Sequence, residues 1–145
     1  MKKLTAILTF VFTLCATVCC ADKTPVGEAQ LPAAARQFIK KHFSEKKVAL
    51  AKIDTEFVRK SYEVAFTDGD YIEFDSKGNW EEIDCKTSPV PAAVIPAAIA
   101  SYVKENYPDA TIRKIEKERR EYEVRLSNRM ELTFDLKFRL VDIDL

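Results

Sequence analysis

The segment Tyr62-Glu63-Val64 occurs twice in this chain, returning sixty residues later as Tyr122-Glu123-Val124. The same offset relates further matches downstream: Ile72 with Leu132, Phe74-Asp75 with Phe134-Asp135, Lys77 with Lys137, and Ile83-Asp84 with Ile143-Asp144. Upstream, Leu31-Pro32-Ala33-Ala34 matches Ile95-Pro96-Ala97-Ala98 at an offset of 64, and a loop absorbs the four-residue difference cheaply. Matches at a nearly fixed offset indicate an internal repeat. The sequence therefore predicts two copies of one structural unit.

Each copy begins with an amphipathic helix. In the first copy, apolar residues recur at helical spacing at Leu31, Ala34, Ala35, Phe38, Ile39 and Phe43. The second copy reproduces this stripe at Ile95, Ala98, Ile99, Tyr102, Val103 and Tyr107. Pro32 lies near the start of the first helix, where a missing N–H costs nothing. Pro108 ends the second helix, because the residue before a proline avoids the helical region.

About four antiparallel strands follow each helix. In the first copy we predict strands over residues 48–58, 62–66, 71–75 and 80–85, and in the second over 111–118, 121–126, 130–136 and 140–145. The predicted fold is α+β, a tandem repeat of a helix plus about four antiparallel strands with the helices on one sheet face. Repeat 1 spans residues 31–85, a linker spans 86–94 and repeat 2 spans 95–145. Each half alone would be marginally stable at this size, so one cooperative domain is predicted.

Two hairpins carry distinct signals. Asp68-Gly69 predicts a two-residue type I′ turn, because that turn needs positive φ at both central positions. In the second copy, Ser76 and Gly78 are replaced by Leu136 and Phe138. Without the turn glycine, a reshaped hairpin or a longer strand is predicted there.

Residues 1–21 have the pattern of a signal peptide. Lys2 and Lys3 precede an apolar run that ends in Cys19-Cys20-Ala21, with small residues at the positions that a signal peptidase reads. Removal of residues 1–21 from the 145-residue chain leaves 124 residues, of which 22–30 are predicted to form a mobile tether. The alternative is a lipoprotein acylated at Cys19 or Cys20, the one route by which we expect this chain to contact a membrane.

The composition excludes several classes of function. The leader holds two of the 23 basic residues and none of the 23 acidic ones, so the mature chain has a net charge of −2. This balance, without a basic cluster, argues against binding to nucleic acid. Three of the four cysteines lie in the leader, so no intramolecular disulfide is expected.

No residue pattern points to catalysis, a metal or a cofactor. His42 is the single histidine, and we interpret it as a residue at a helix boundary rather than a general base. Acids around Asp68-Gly69 do not match the twelve-residue calcium loop, and they are interpreted as exposed strand residues beside a turn. Cys85 aligns with Leu145, which favours a small buried apolar residue over a reactive thiol.

A binding surface is predicted on the sheet face that the helices leave uncovered. If Ile83 points toward the helix, alternation places on the uncovered face Trp80, Glu82, Asp84, Tyr71, Glu73 and Asp75. Trp80 and Tyr71 would anchor a partner, and the four acids would form a polar rim. The alternative is that Trp80 packs between the two halves, since a β-bulge would reverse its direction.

Over residues 31–145 the chain resembles the PepSY-like, or β-lactamase-inhibitor-like, family of small exported Gram-negative proteins. The resemblance rests on these segments: Leu31-Pro32-Ala33-Ala34, Ser61-Tyr62-Glu63-Val64, Ile72-Glu73-Phe74-Asp75, Gly78-Asn79-Trp80, Val90-Pro91, Ile95-Pro96, Tyr107-Pro108, Tyr122-Glu123-Val124 and Val141-Asp142-Ile143-Asp144. It implies a curved continuous sheet with helices on its convex side, export, and no catalytic residues.

These observations predict a non-catalytic periplasmic module that binds a protein or peptide in the cell envelope. One alternative is an inhibitor or regulator of a secreted hydrolase, of the protease or β-lactamase type, as the family name suggests. Another is a structural component of the envelope. Fold analogy alone does not establish inhibition of a β-lactamase.

Overall fold

A computed structural model describes residues 23–56 and 59–145. The predicted signal peptide, residues 1–21, lies outside the described residues. The helices are α1 (Ala33–His42) and α2 (Ala97–Asn106), and two 3-10 turns span Glu28–Gln30 and Ala92–Val94. The strands are β1 (Thr24–Val26), β2 (Val48–Glu56), β3 (Arg59–Phe66), β4 (Tyr71–Phe74), β5 (Trp80–Asp84), β6 (Ile112–Lys117), β7 (Glu121–Leu126), β8 (Glu131–Asp135) and β9 (Leu140–Asp144).

The nine strands form one open, curved, antiparallel sheet in chain order, so each strand pairs only with its neighbours in sequence. One helix precedes four strands in the N-terminal half (residues 31–85) and again in the C-terminal half (residues 95–145). The two halves join where β5 pairs with β6 over three residue pairs, from Glu82–Glu116 to Asp84–Lys114. The predicted α+β class and the antiparallel pairing are confirmed.

A row of apolar residues, each opposite the next, crosses the sheet on the face that carries the helices. It consists of Val26, Ala51, Val64, Ile72, Ile83, Ile115, Val124, Leu132 and Ile143. The members from β3 to β8 are fully buried. Phe38 of α1 meets Phe74 edge-to-face at 5.8 Å, and Tyr102 of α2 meets Phe134 at 5.4 Å. Both helices therefore cover one face and leave the other uncovered.

The N-terminal segment differs from the predicted mobile tether. Thr24–Val26 pairs with β2 as an edge strand, and Glu28–Gln30 forms a 3-10 turn. The extended residues of β1 have a partner because Val26 completes the apolar row opposite Ala51. The prediction of a mobile segment over 22–30 is wrong for these residues.

The predicted type I′ turn is also wrong. Phe66 N–H donates to the Asp70 carbonyl at 2.8 Å, and Gly69 N–H donates to the Phe66 carbonyl at 3.0 Å. Gly69 has φ +90°, whereas Asp68 does not have a positive φ. This is a type I turn followed by one left-handed residue, a three-residue hairpin loop.

The hairpin between β8 and β9 has the same three-residue loop, although it contains no glycine. Phe138 has φ +60°, and its N–H donates to the Asp135 carbonyl at 2.8 Å. Asp135 Oδ1 also accepts the N–H groups of Lys137 and Arg139, at 2.9 and 3.0 Å. The prediction of a reshaped hairpin or longer strand is therefore wrong, because these hydrogen bonds hold the turn.

Candidate functional site

A row of glutamates crosses the middle of the uncovered face. On five adjacent strands, β3 to β7, each glutamate lies opposite the next, and this glutamate row consists of Glu63, Glu73, Glu82, Glu116 and Glu123. Side chains in such positions are about 5 Å apart at Cβ, and like charges there are destabilising. Folding stability alone therefore does not account for the row.

Lys114 neutralises part of the glutamate row from within. Its Nζ lies 3.1 Å from Glu82 Oε1 and 2.8 Å from Glu116 Oε2. Burial lowers the pKa of Lys114, but the two carboxylates outweigh it and the net shift is upward. For Glu82, burial together with Glu116 and Glu73 raises the pKa above its usual range despite Lys114. The row retains a surplus of negative charge at its centre.

Tyr71 is half-buried beside the glutamate row. Its hydroxyl donates to Glu73 Oε2 at 3.1 Å. Burial, and then the charges of Glu73 and Glu63, raise the pKa of the phenol, so it stays a neutral donor. Tyr71 thus offers a ring surface between acids, as predicted for the uncovered face.

The carboxylates of Asp75 and Asp84 form hydrogen bonds within the fold. Asp75 Oδ1 accepts the N–H groups of Lys77 and Asn79 at 2.8 and 2.9 Å, which closes the β4–β5 hairpin. Asp84 is buried, and its Oδ1 accepts from Arg125 Nη2 at 2.9 Å. These carboxylates are already paired, so they support the face more than they offer free acceptors.

Trp80 lies on the opposite face from the one that simple alternation predicts. The pairing of β4 with β5 shifts register after Glu73, so Trp80 stands opposite the fully buried Phe74. A bulge adds one residue to β5 and reverses the direction of Trp80. The side chain is half-buried against the core on the helix side. The expected facing of Trp80 is therefore wrong. The alternative, that Trp80 packs between the two halves, stays a prediction.

A cleft of about 1400 Å³ opens beside Trp80. It lies where β5 and β6 part beyond their three paired residues. Apolar side chains form part of its wall: Phe38, Trp80, Val94, Ile95 and Tyr122. Its charged lining residues include Glu73, Asp75 and Glu82 from the predicted site, together with Arg59, Glu81, Lys117 and Arg119. This junction cleft brings Trp80 and three of the predicted acids together, whereas Tyr71 borders a separate pocket.

That second pocket, of about 280 Å³, lies at the β1 end of the uncovered face. The ammonium of Lys23 pairs there with Glu63 and lies 3.4 Å from Asp54 Oδ2. Asp54 is only 9% exposed, and its Oδ1 has no hydrogen-bond partner among the described residues. Sequence reasoning missed Lys23 and Asp54, because only the strand register shows that they share a face with Glu63.

Groups with catalytic potential have structural roles. Cys85 is buried, as predicted, and burial, and then Asp70, raises the pKa of its thiol to about 12. Asp70 is buried rather than strand-exposed, and it accepts from Lys46 at 2.5 Å and from Lys86 N at 2.8 Å. His42 packs on Phe38 at the end of α1. Across residues 23–56 and 59–145, no group of three or more His, Cys, Asp or Glu side chains is arranged to hold a metal ion.

Comparison with known proteins agrees with this architecture. A family model described as "putative beta-lactamase-inhibitor-like, PepSY-like" matches residues 60–142. The chain belongs to this family, which confirms the resemblance. No curated protein matches the chain. In the part of the chain that the structure describes, neither helix has the length and apolar character needed to span a membrane.

Solved structures from two Bacteroides species are similar over their full lengths. A protein of Bacteroides thetaiotaomicron, described as a "putative calcium-regulated periplasmic protein", is 60% identical with a TM-score of 0.84, covering 86% of this chain and 98% of its own. A protein of Bacteroides vulgatus, described as a "putative periplasmic protein from DUF2874 family", is 52% identical with a TM-score of 0.85, covering 87% of this chain and 99% of its own. A second protein of that species, of unknown function, is 41% identical with a TM-score of 0.81, over 86% and 100%.

Proposed function

We propose that this protein is an exported, non-catalytic periplasmic module that binds a positively charged protein or peptide segment through its uncovered sheet face. The observation that carries the proposal is the glutamate row. The periplasmic descriptions of its relatives support the location, and the signal-peptide pattern of residues 1–21 supports export. The tandem arrangement of two helix-plus-four-strand units belongs to the same proposal, because it makes one face wide enough for an extended partner.

The electrostatics of the row favour a cationic partner. Opposed carboxylates repel one another, and the partly buried positions of the glutamates limit screening by solvent. A Lys or Arg side chain laid across the row removes this repulsion and gains charge-assisted hydrogen bonds. Such a surface also accelerates association with a partner of opposite charge.

The six predicted site residues divide their roles in this proposal. Glu73 and Glu82 contact the partner's cationic groups, and Tyr71 supplies a flat apolar surface beside them. Trp80 forms the wall of the junction cleft, where an apolar side chain of the partner inserts. Asp75 and Asp84 hold the hairpin and the junction in position.

A calcium site does not fit the described residues. The description of the Bacteroides thetaiotaomicron relative raises the question, and calcium needs six to eight converging oxygens. The glutamates instead lie in a line along five strands, and no metal-holding group is formed among the described residues. We therefore base the proposal on cationic side chains.

The test uses a fluorescein-labelled peptide of alternating Lys and Thr and the mature protein. We expect binding that weakens as salt rises, and the double variant Glu73→Gln/Glu82→Gln should weaken it about tenfold, because two contacts of about 0.7 kcal/mol are lost. The matched control, Glu45→Gln/Glu105→Gln, changes exposed acids away from the face by the same net charge. Equal affinity of the two double variants would refute the proposal.

The two alternatives predict different behaviour in periplasmic extract. An inhibitor or regulator would capture a secreted hydrolase and reduce its activity. A structural envelope component would capture no soluble partner and would be retained with the envelope. The same Glu73→Gln/Glu82→Gln variant links any captured partner to the uncovered face.

A further inference from the structure

The edge strand β1 has few contacts. It pairs with β2 over three residues, and Thr24 and Pro25 are exposed. Val26 alone packs on the core. Pro25 has no N–H and cannot donate a hydrogen bond to another strand. A short strand of this kind detaches at low cost compared with the central strands.

Lys23 fixes β1 to the uncovered face through charge. Its side chain reaches Asp54 on β2 and, across β2, Glu63 on β3. The pocket around it is also lined by Glu73, Ser61 and Arg59. Among the residues that the structure describes, the buried Oδ1 of Asp54 has no hydrogen-bond partner, so a single ammonium does not use all the acceptors of this pocket.

A second cationic group, or a guanidinium with five donors, would satisfy more of these acceptors. We propose that β1 occupies the binding site of a partner and that the partner displaces it. The partner is an extended segment with Lys or Arg three residues before an aliphatic residue, and it pairs with β2 in place of β1. This rests on the proposed function, because it identifies the class of partner that the uncovered face binds.

The spacing follows from the register. Pro25 faces Lys52 on the uncovered side, and Val26 faces Ala51 on the helix side. The residue at position 23 therefore points toward the acids while the residue at 26 enters the core row. An incoming segment has to place its basic and aliphatic residues in the same way. Addition of a strand to a sheet edge is an established mode of peptide recognition.

The probe is a labelled peptide with the sequence of residues 22–30. In the unaltered mature chain the covalently attached β1 competes at an effective concentration in the millimolar range, so the probe binds weakly. The variant Lys23→Ala/Val26→Ala loosens β1 and leaves the acids of β2 and β3 unchanged. We expect it to bind the probe at least about tenfold more tightly than the unaltered chain. Adding Asp54→Asn/Glu63→Gln to this variant should remove the gain in affinity for the probe. Replacing the Lys of the probe by Ala should remove it as well.

A variant that binds the probe no better than the unaltered chain would overturn the inference. Hydrogen exchange on the unaltered chain gives a second test that does not depend on the variant folding: the β1 amides should exchange at least about a hundredfold faster than those of β7. Equal protection would also overturn it. If both tests fail while Glu73→Gln/Glu82→Gln still weakens binding of the Lys-Thr peptide, the proposed function stands and only the role of β1 falls.

Discussion

At residue 78 the backbone needs glycine for two reasons. Gly78 has φ +88°, and a Cβ there would lie 2.7 Å from Ala35 N and 2.9 Å from Pro32 Cβ. The start of α1 thus rests directly on the β4–β5 hairpin. Gly69 has a similar φ of +90°, but its nearest neighbour would be Lys86 Cγ at 3.7 Å.

Substitution of the two glycines measures backbone strain and steric crowding separately, because both have a positive φ but only Gly78 lies against α1. Gly69→Ala should cost about 1 kcal/mol, the usual penalty of a left-handed alanine. Gly78→Ala should cost about 3 kcal/mol or more, because α1 also has to move. Urea unfolding of both variants measures the difference. Equal losses in the free energy of unfolding would show that α1 moves away from the new Cβ at no cost in stability.

Trp80 provides a prediction about the bulge. Trp80→Ala should lower the free energy of unfolding by about 2 kcal/mol, since it removes half-buried core contacts on the helix side. Tyr71→Ala, on the uncovered face, serves as the control and should cost less. Thermal and urea unfolding check both variants. Unchanged stability of Trp80→Ala would instead support placement on the uncovered face.

Among the elements, the pairing of β5 with β6 is the shortest between β2 and β9, with three residue pairs. Ion pairs reinforce it. Asp84 of β5 bonds Arg125 of β7 at 2.9 Å, and Lys114 of β6 bonds Glu82 of β5 at 3.1 Å. The side chain of Asp84 is 11% exposed, so its pair with Arg125 is better shielded than a surface pair.

This joint should be sensitive to acid. Burial raises the pKa of Asp84, but hydrogen bonds from Lys86 and Arg125 outweigh it and hold the pKa below its usual value. Its stabilising contribution is then complete above the unfolded pKa and is lost as pH falls through the folded pKa. Asp84→Asn should be less stable at neutral pH and lose less stability between about pH 5 and pH 2. Asp109→Asn, at an exposed position, should keep the acid dependence of the unaltered chain in the same denaturation series.

Helices and strands with strong local periodicity were predictable from the sequence. Features that depend on the register between paired strands were not. The stripe Ala35, Ile39 and Phe43 and the alternation around Val64 identify α1 and β3 without tertiary information. The bulge before Trp80 arises from pairing between two strands, which composition does not reveal. The glutamate row likewise appears only when five strands are aligned. The pairing of Lys23 with Asp54 could not be predicted from any local pattern, because it depends on the pairing of β1 with β2.

For the whole molecule, unfolding should occur in one step. Buried residues of both halves belong to one continuous core, and β5 and β6 share the sheet between them. Residues 22–88 alone should therefore fail to form a stable domain, whereas residues 22–145 should show coincident transitions by circular dichroism and tryptophan fluorescence. An independently cooperative fragment 22–88 would contradict this expectation.

The strand order also has a kinetic consequence. Because each strand pairs with the one that precedes it in the chain, every pairing step closes a segment no longer than a single helical connection. Topologies with such low contact order fold faster than those that join distant segments, since little loop entropy is lost before contacts form. A chain that crosses a membrane with its N-terminus first can thus pair each new strand with one that has already emerged, and the sheet becomes stable once strands of the C-terminal half have joined the shared core.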